Sequence, residues 1–144
     1  MNLVVDSNIV ISALISPSGV IAKIIFTRLQ EAKLYAPEYL YFEVIDKQEK
    51  IQRLAGYTTD EFYELLHILL KRLELIDHSI INEENKTNAF KLVADIDIKD
   101  VEYVALTLQT EHKLWTGDKA LINGLKAKGF TKIIDTAELI KIIE

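Results

Sequence analysis

Hydrophobic positions along the chain alternate between short continuous runs and longer stretches at helical spacing. The run that begins at Asn2 and ends at Asp6 predicts a buried strand leading into a helix. Val20, Ile24 and Leu29 recur at helical spacing in the stretch that follows. The whole pattern predicts strands at 2–6, 34–36, 73–77, 113–116 and 133–134, and helices after the first strand and at 19–32, 38–54, 58–72, 82–94, 98–110, 118–128 and from 135 onward.

Several helix ends carry recognisable signals. Gly56 is placed to end the helix before it, because glycine accepts the left-handed conformation of a helix cap. Thr58 with Glu61, and Asp135 with Glu138, have the spacing of capping boxes. These signals predict two helix starts and one helix end.

The clearest helix, at 98–110, has an apolar stripe formed by Val101, Val104, Ala105 and Leu108. Strands follow helices along the rest of the chain in regular alternation. Such alternation indicates an α/β fold with a central, mostly parallel sheet flanked by helices.

The composition fits one globular domain over residues 1–144, since 49% of the residues are hydrophobic and 27% are charged. There is no cysteine, so a bound metal would need oxygen or histidine ligands. The apolar start is interrupted by Asp6 and lacks a basic leader, which is untypical of a signal peptide or membrane span. We therefore expect a soluble cytoplasmic protein with no membrane partner.

The net charge of −5 argues against a nucleic-acid partner, because such proteins usually present a positive surface. The charge is unevenly distributed, however. Six lysines face four acids between residues 112 and 144. A divalent cation in an acidic pocket would also reverse the local field, so a phosphate substrate is compatible with the negative total.

Two acids follow predicted strands. Asp6 ends the first strand, and Asp118 lies just past the strand at 113–116. Ligands of open α/β sheets bind outside the carboxyl ends of the strands, so both acids belong to the functional edge. Each has an alternative role as the N-cap of the helix that follows it.

Three further acids have competing interpretations. Asp97 and Asp100 open the helix at 98–110, where acids complement the helix dipole. Asp100 adjoins the apolar stripe, and a carboxylate beside a buried face needs a partner such as a cation. Glu43 is an acid in a strongly apolar stretch, with Lys47 placed for an ordinary salt bridge on a solvated helix face.

Taken together, the acids favour a hard divalent cation. Mg²⁺ prefers oxygen ligands, often one or two carboxylates with waters and substrate phosphates. Such an ion polarises a phosphoryl oxygen and lowers the pKa of an attacking water, so no protein nucleophile is required. The pattern indicates phosphodiester chemistry with Mg²⁺ or Mn²⁺.

The order of these motifs resembles the PIN-domain nucleases across nearly the whole chain. The shared features are DSN after the first strand, an internal Glu, the spacing D-x-x-D-x-x-x-x-A-L, and L-W-T-G-D-K. The resemblance implies a single PIN-like domain and a catalytic, metal-binding set at Asp6, Glu43, Asp100 and Asp118. It implies supporting roles for Asn8, Asp97 and Thr116. At the second position, Glu38 and Asp46 compete with Glu43.

The resemblance also implies partners. We expect a metal-dependent endoribonuclease acting on RNA, and many family members of this size are toxins paired with an antitoxin protein, whereas others process RNA. A homodimer or higher oligomer is expected from the family and from the aromatic residues Tyr35, Tyr39, Tyr41 and Phe42, since aromatics are enriched at interfaces. Ordinary core packing is the alternative for these side chains.

Other functional classes fit less well. A haloacid-dehalogenase-like phosphatase needs an Asp two residues after the first, where this chain has Asn8. A receiver domain needs paired acids at the end of the first strand, and that pair is missing. A non-catalytic RNA-binding or protein-interaction module on the same fold remains the main alternative.

Overall fold

Five parallel strands form the central sheet of the protein, for which a computed structural model describes residues 1–144. The strands are ordered β3-β2-β1-β4-β5 across the sheet. Their bounds are β1 Leu3–Val5, β2 Leu34–Pro37, β3 Leu73–Ile76, β4 Lys113–Trp115 and β5 Ile133–Ile134. Every neighbouring pair is parallel, which confirms the expected α/β fold.

Nine α-helices flank this sheet. They are α1 Ser7–Ile15, α2 Val20–Lys23, α3 Tyr39–Asp46, α4 Gln48–Ala55, α5 Thr59–Leu70, α6 Glu83–Val93, α7 Val101–Thr110, α8 Lys119–Ala127 and α9 Thr136–Ile143. A π-helical turn spans Ile24–Arg28, and 3₁₀ turns span His78–Ile80 and Ile98–Asp100. No single helix is long and apolar enough to cross a membrane; α1 and Val20–Arg28 reach that length and composition only as a pair bent by 107°.

The strand order creates a switch point at the centre of the sheet. From β1 the chain adds β2 and β3 on one side, then crosses back to place β4 on the other. Val5 pairs with Trp115 in the last register position of β1 and β4. The loops that follow these two strands therefore leave the same edge in opposite directions, which opens the crevice where α/β proteins bind ligands.

One continuous core of 36 buried residues supports this sheet. All three residues of β1 are buried because helices cover both faces of a parallel sheet. The central helix α7 is buried more widely than its predicted stripe. Tyr103, Leu106 and Thr107 join Val104 and Ala105 in the core, since α7 packs against both the sheet and α6.

The helix expected at 19–32 is shorter and less regular than predicted. It passes from α2 into the π turn and ends at Arg28. Arg72 donates hydrogen bonds to the carbonyl oxygens of Ile25 and Leu29, at 3.3 and 2.7 Å. A side chain from a distant part of the chain thus satisfies the carbonyls that a longer helix would have paired internally.

The helix expected at 38–54 is broken in two. Lys47, with φ −98° and ψ 8°, separates α3 from α4. Both pieces pack against α1, and the break lets each present its own apolar face to that helix. The predicted end is confirmed, because Gly56 has the left-handed φ of 76°.

Local capping signals are confirmed where they were predicted. The capping boxes of Thr58 with Glu61 and of Asp135 with Glu138 both form. The helix expected at 98–110 begins instead as the 3₁₀ turn Ile98–Asp100 before α7. This tighter start places Asp100 where the chain enters the core.

Candidate active site

Asp6 leaves the end of β1 and is almost completely buried, with 4% of its surface exposed. Its Oδ2 accepts a hydrogen bond from Thr116 Oγ1 at 2.6 Å and another from Asn8 Nδ2 at 3.1 Å. Although Asp6 precedes α1, its side chain makes no capping hydrogen bond. The capping alternative for Asp6 is therefore wrong in this structure.

The polar residues after β1 and β4 form one network. The Gly117 N–H donates to Asn8 Oδ1 at 3.2 Å, and the Asp118 N–H donates to Thr116 Oγ1 at 3.1 Å. These bonds tie the two strand ends together across the switch point. Asn8 and Thr116 thus lie where the resemblance placed supporting residues, and both hold the Asp6 carboxylate in position.

Asp118 has two roles in the geometry. Its Oδ1 accepts a hydrogen bond from the Leu121 N–H at 3.1 Å, so it caps α8 as the alternative interpretation predicted. It is also close enough to Asp6 and Asp100 for its charge to raise the pKa of both carboxyls. Capping and membership of the acid cluster are therefore compatible.

Asp100 is a buried acid with a strongly raised pKa. It is 9% exposed, and its Oδ2 is buried with no hydrogen-bond partner. Burial, as the largest cause, and the charges of Asp6, Asp97, Asp118 and Glu43, in decreasing order, together raise its pKa to about 7. A buried carboxyl oxygen without a partner, surrounded by other acids, is the arrangement expected where a cation belongs.

Glu43 projects from α3 toward the same acids. Its Oε1 accepts a hydrogen bond from the Tyr103 hydroxyl at 2.6 Å. Burial raises the pKa of Glu43, the Tyr103 hydrogen bond opposes the rise, and the charge of Asp6 adds to it. No ion pair forms with Lys47, so the salt-bridge alternative is wrong.

The competing acids near Glu43 and the assisting acid Asp97 occupy more exposed positions. Glu38 and Asp46 are exposed, whereas Glu43 is half-buried. Asp97 is exposed and caps the 3₁₀ turn by accepting a hydrogen bond from the Lys99 N–H at 3.0 Å. Asp97 therefore lies at the edge of the acid cluster, and its charge raises the pKa of Asp100.

Three residues near the acids were not singled out from the sequence. Tyr103 is buried and donates to Glu43, Ser7 is buried between Asp6 and the cleft, and Lys99 lies beside Glu43. Tyr103 carried a usable signal, because it stands one helical turn after Asp100 and a buried hydroxyl needs a partner. Ser7 and Lys99 carried no such signal in the sequence, apart from lying next to Asp6 and Asp100.

An open cleft of about 490 Å³ borders the acid cluster. One wall comes from α1 and the other from α3, and Lys99 of the 3₁₀ turn also lines the cleft. The lining residues are Ser7, Asn8, Ile11, Tyr39, Phe42, Glu43, Asp46, Lys47 and Lys99. Glu43 belongs to both the cleft and the acid cluster, so a molecule in the cleft can reach the acids.

The donor set fits a hydrated divalent cation rather than a closed protein cage. No three His, Asp or Glu side chains are close enough together to enclose an ion between them. The Asp100 oxygen without a partner still offers a ligand, and Asp6 and Asp118 supply further carboxylates nearby. Mg²⁺ commonly keeps several waters and takes one or two carboxylates, which this arrangement can supply.

Comparison with known proteins agrees with this geometry. A sequence model of the PIN domain family matches residues 4–138. No curated protein matches the chain. PIN domains are generally nucleases that act on nucleic acids and usually use divalent metal ions. With all but nine of its residues inside the match and its acids gathered at the sheet's switch point, the chain belongs to the PIN-domain family.

Proposed function

We propose that the protein is an endoribonuclease that uses Mg²⁺ or Mn²⁺ to hydrolyse phosphodiester bonds of RNA. The observation that carries this proposal is the buried, unpartnered Oδ2 of Asp100 within reach of the charges of Asp6, Glu43 and Asp118. A carboxylate left in that state costs free energy, and a bound cation would remove the cost. The preference for RNA rests on the resemblance of the motifs.

Asp6, Asp100 and Asp118 would hold the ion, directly or through its waters. When bound, a divalent ion polarises the phosphoryl oxygen, stabilises the leaving oxygen and lowers the pKa of a nearby water. The Asp6 carboxylate cannot turn away, because Thr116 and Asn8 both donate to its Oδ2. An acid held in one orientation would keep a bound cation in a fixed position relative to the substrate.

Glu43 would act on the proton of the attacking water. The Tyr103 hydroxyl occupies its Oε1, which leaves Oε2 to accept a proton. Its raised pKa brings the carboxyl closer to the range in which a general base works near neutral pH. Its place in the lining of the cleft would let it reach that water beside the substrate phosphate.

The test compares three Asp-to-Asn variants of similar chemistry. Asp6→Asn and Asp118→Asn remove a charge from the acid cluster, whereas Asp135→Asn removes one from the N-cap of α9, away from the cluster. Folding should be preserved in all three, because Asn caps a helix about as well as Asp at positions 118 and 135, and at position 6 its amide oxygen can still accept the hydrogen bond from Thr116. Cleavage of single-stranded RNA with Mg²⁺ or Mn²⁺ should fall by at least about 100-fold in the first two variants only.

Chelation supplies the second arm of this test. Cleavage by the wild-type protein should stop with EDTA and return with added Mn²⁺. Undiminished cleavage in both Asp6→Asn and Asp118→Asn would disprove the carboxylate mechanism. Binding of RNA without any turnover would instead favour the non-catalytic module.

The toxin role, the antitoxin partner and the cytoplasmic site of action stay predictions from the resemblance and the sequence. Their common test is expression in growing cells. A toxin of this type should arrest growth when the wild-type chain is induced alone, and Asp118→Asn should abolish the arrest. Normal growth with active enzyme in the lysate would instead favour an RNA-processing role.

A further inference from the structure

Helix α3 exposes aromatic side chains beside the acid cluster. Phe42 is 66% exposed and Tyr39 is 36% exposed, although the same helix buries Leu40 and Val44 in the core. Single exposed apolar side chains are common on protein surfaces, whereas neighbouring ones that form a patch mark an interaction site. The exposed ring of Phe42 is held by an edge contact with Tyr41, with centroids 5.9 Å apart.

The aromatic side chains and the acid Glu43 line the same face of α3. Tyr39, Phe42, Glu43 and Lys47 follow one another at helical spacing, and all four line the cleft. The cleft volume of about 490 Å³ lies in the range of small-ligand sites. A group in contact with the rings would therefore lie next to Glu43.

Positive charge is placed beside the rings. Lys47 at the end of α3 and Lys99 in the 3₁₀ turn are the cations that line the cleft. Neither lysine forms an ion pair within the protein. Two free ammonium groups at a cleft with aromatic walls match the alternation of phosphates and bases in a nucleic-acid strand.

We propose that Tyr39 and Phe42 form a stacking subsite for an unpaired base of the substrate, with Lys47 and Lys99 binding the adjoining phosphates. The inference rests on the proposed ribonuclease function and deepens it, because it makes single-stranded RNA the substrate class. A base inside a duplex has both faces covered by its neighbours, so only an unpaired base can stack on these rings.

A protein helix suits the cleft less well. Only Ile11, Tyr39 and Phe42 among the nine lining residues are hydrophobic, whereas an amphipathic helix needs a continuous apolar groove. The remaining lining residues are polar or charged, and among them Lys47 and Lys99 match phosphates while Ser7 and Asn8 can hydrogen-bond a nucleotide. Binding of a second copy of the chain, or of another protein, at this cleft is therefore the competing outcome of the test.

The experiment measures binding and cleavage in the same variants. Single-stranded RNA containing 2-aminopurine is titrated in EDTA, where no bond should be cut, and the fluorescence reports stacking of the modified base. The kinetics of RNA cleavage are measured separately with Mn²⁺. Phe42→Ala removes the ring, Phe42→Tyr restores it, and Phe90→Ala removes an exposed ring of α6 that does not line the cleft.

Phe42→Ala should raise both Kd and KM by about 5- to 150-fold, the range that corresponds to the loss of one base–aromatic stack. The value of kcat should change far less. Phe42→Tyr should recover most of the affinity, and Phe90→Ala should behave as wild type. Lys47→Gln and Lys99→Gln should each reduce the salt dependence of binding, since each removes about one phosphate contact.

Several results would overturn the inference. Unchanged Kd and KM in Phe42→Ala, with normal cleavage by the wild type, would reject the subsite but leave the ribonuclease intact. Equal affinity for a fully base-paired RNA would also reject it. Loss of self-association in Phe42→Ala, with RNA binding unchanged, would assign the aromatic face to a second copy. A wild-type protein that neither binds nor cleaves RNA would reject both proposals.

Discussion

At the scale of single residues, the chemistry of the site depends on how each carboxyl is surrounded. Asp6 is buried but receives two side-chain hydrogen bonds, whereas Asp100 is buried with one oxygen unpaired. Both side chains have the same chemical groups. Burial raises the pKa of both carboxyls, to about 7 for Asp100, and the hydrogen bonds from Thr116 and Asn8 make Asp6 the rigid anchor of the cluster.

The raised pKa of Asp100 predicts a pH-dependent stability. Between about pH 4 and pH 7 the folded protein keeps a proton on Asp100 that the unfolded chain has released. The free energy of unfolding should therefore fall as pH rises through this window, by on the order of 3 kcal/mol from this group, and then level off. Chemical denaturation in EDTA at several pH values measures the slope.

Asp100→Asn provides the control for that slope. The amide does not titrate, so the pH dependence in this window should be reduced, and the variant should be the more stable protein near pH 7.5 without metal. Addition of Mn²⁺ should stabilise the wild type more than the variant. A variant with the wild-type slope would show that Asp100 does not titrate there.

Tyr103→Phe tests the hydrogen bond to Glu43 at the same scale. The hydroxyl stabilises the charged form of Glu43 and so lowers its pKa; without it the pKa of Glu43 should rise. The charged, basic form of Glu43 would then appear only at higher pH. The acidic limb of the pH profile of kcat/KM should therefore shift to higher pH. Tyr63→Phe is the matched control, because its hydroxyl bonds Gln48 outside the acid cluster. An unmoved limb in Tyr103→Phe would exclude Glu43 as the base.

At the scale of elements, the helices follow local signals until a tertiary contact interrupts them. The break at Lys47 separates α3 from α4 although the apolar spacing continues through it. The break leaves α3 as a short helix with one face on the core and one on the cleft. The position of α3 places Glu43 and Phe42 in the same wall of the cleft.

Helix α8 offers a prediction about packing between elements. A Cβ on Gly124 would lie 2.5 Å from Cδ1 of Ile96, so alanine there requires the isoleucine to move. In an Ile96→Ala background both crowded atoms, Cδ1 and the Cγ1 at 2.9 Å, are gone, and Gly124→Ala should stabilise the protein by up to about 1 kcal/mol through its helix propensity. In the wild-type background the gain should be smaller or reversed.

A double-mutant cycle by chemical denaturation measures this coupling. Additive effects of the two substitutions would mean that α8 and Ile96 are not in tight contact. A positive coupling would confirm that glycine at 124 is required by the neighbouring side chain and not by its backbone conformation.

At the scale of the whole molecule, self-association stays a prediction. Tyr35, one of the aromatic residues that motivated it, is half-buried and stacks on His112 at 5.6 Å, so it does not belong to the exposed group. Tyr39, Tyr41 and Phe42 do. An interface over these side chains would cover the cleft, so a dimer formed there should compete with RNA.

Light scattering over a range of protein concentrations, with and without single-stranded RNA, checks this expectation. A dimer that uses the aromatic face should dissociate as RNA binds, whereas a dimer that uses another surface should persist. A monomer at every concentration would disprove the predicted oligomer.

The sequence alone determined the order of the elements and most of their ends. Gly56, the Thr58 capping box and the Asp135 capping box act within one helical turn, so their effects can be predicted from neighbouring letters. The motifs also singled out Asp6, Glu43, Asp100 and Asp118, because chemistry restricts which residue types can hold a divalent ion. Their roles in catalysis stay predictions, and the alternation of strands and helices predicts only that Asp6 and Asp118 share the carboxyl edge of the sheet.

Only the tertiary structure decided which of these residues meet and in what state. Asp6 bonds Thr116 from 110 positions away, and Glu43 bonds Tyr103 from 60 positions away. The strand order that creates the switch point, the break at Lys47 and the unpaired oxygen of Asp100 depend equally on distant segments. A carboxyl's pKa is set by burial and by charges through space, and those distances exist only after the chain has folded.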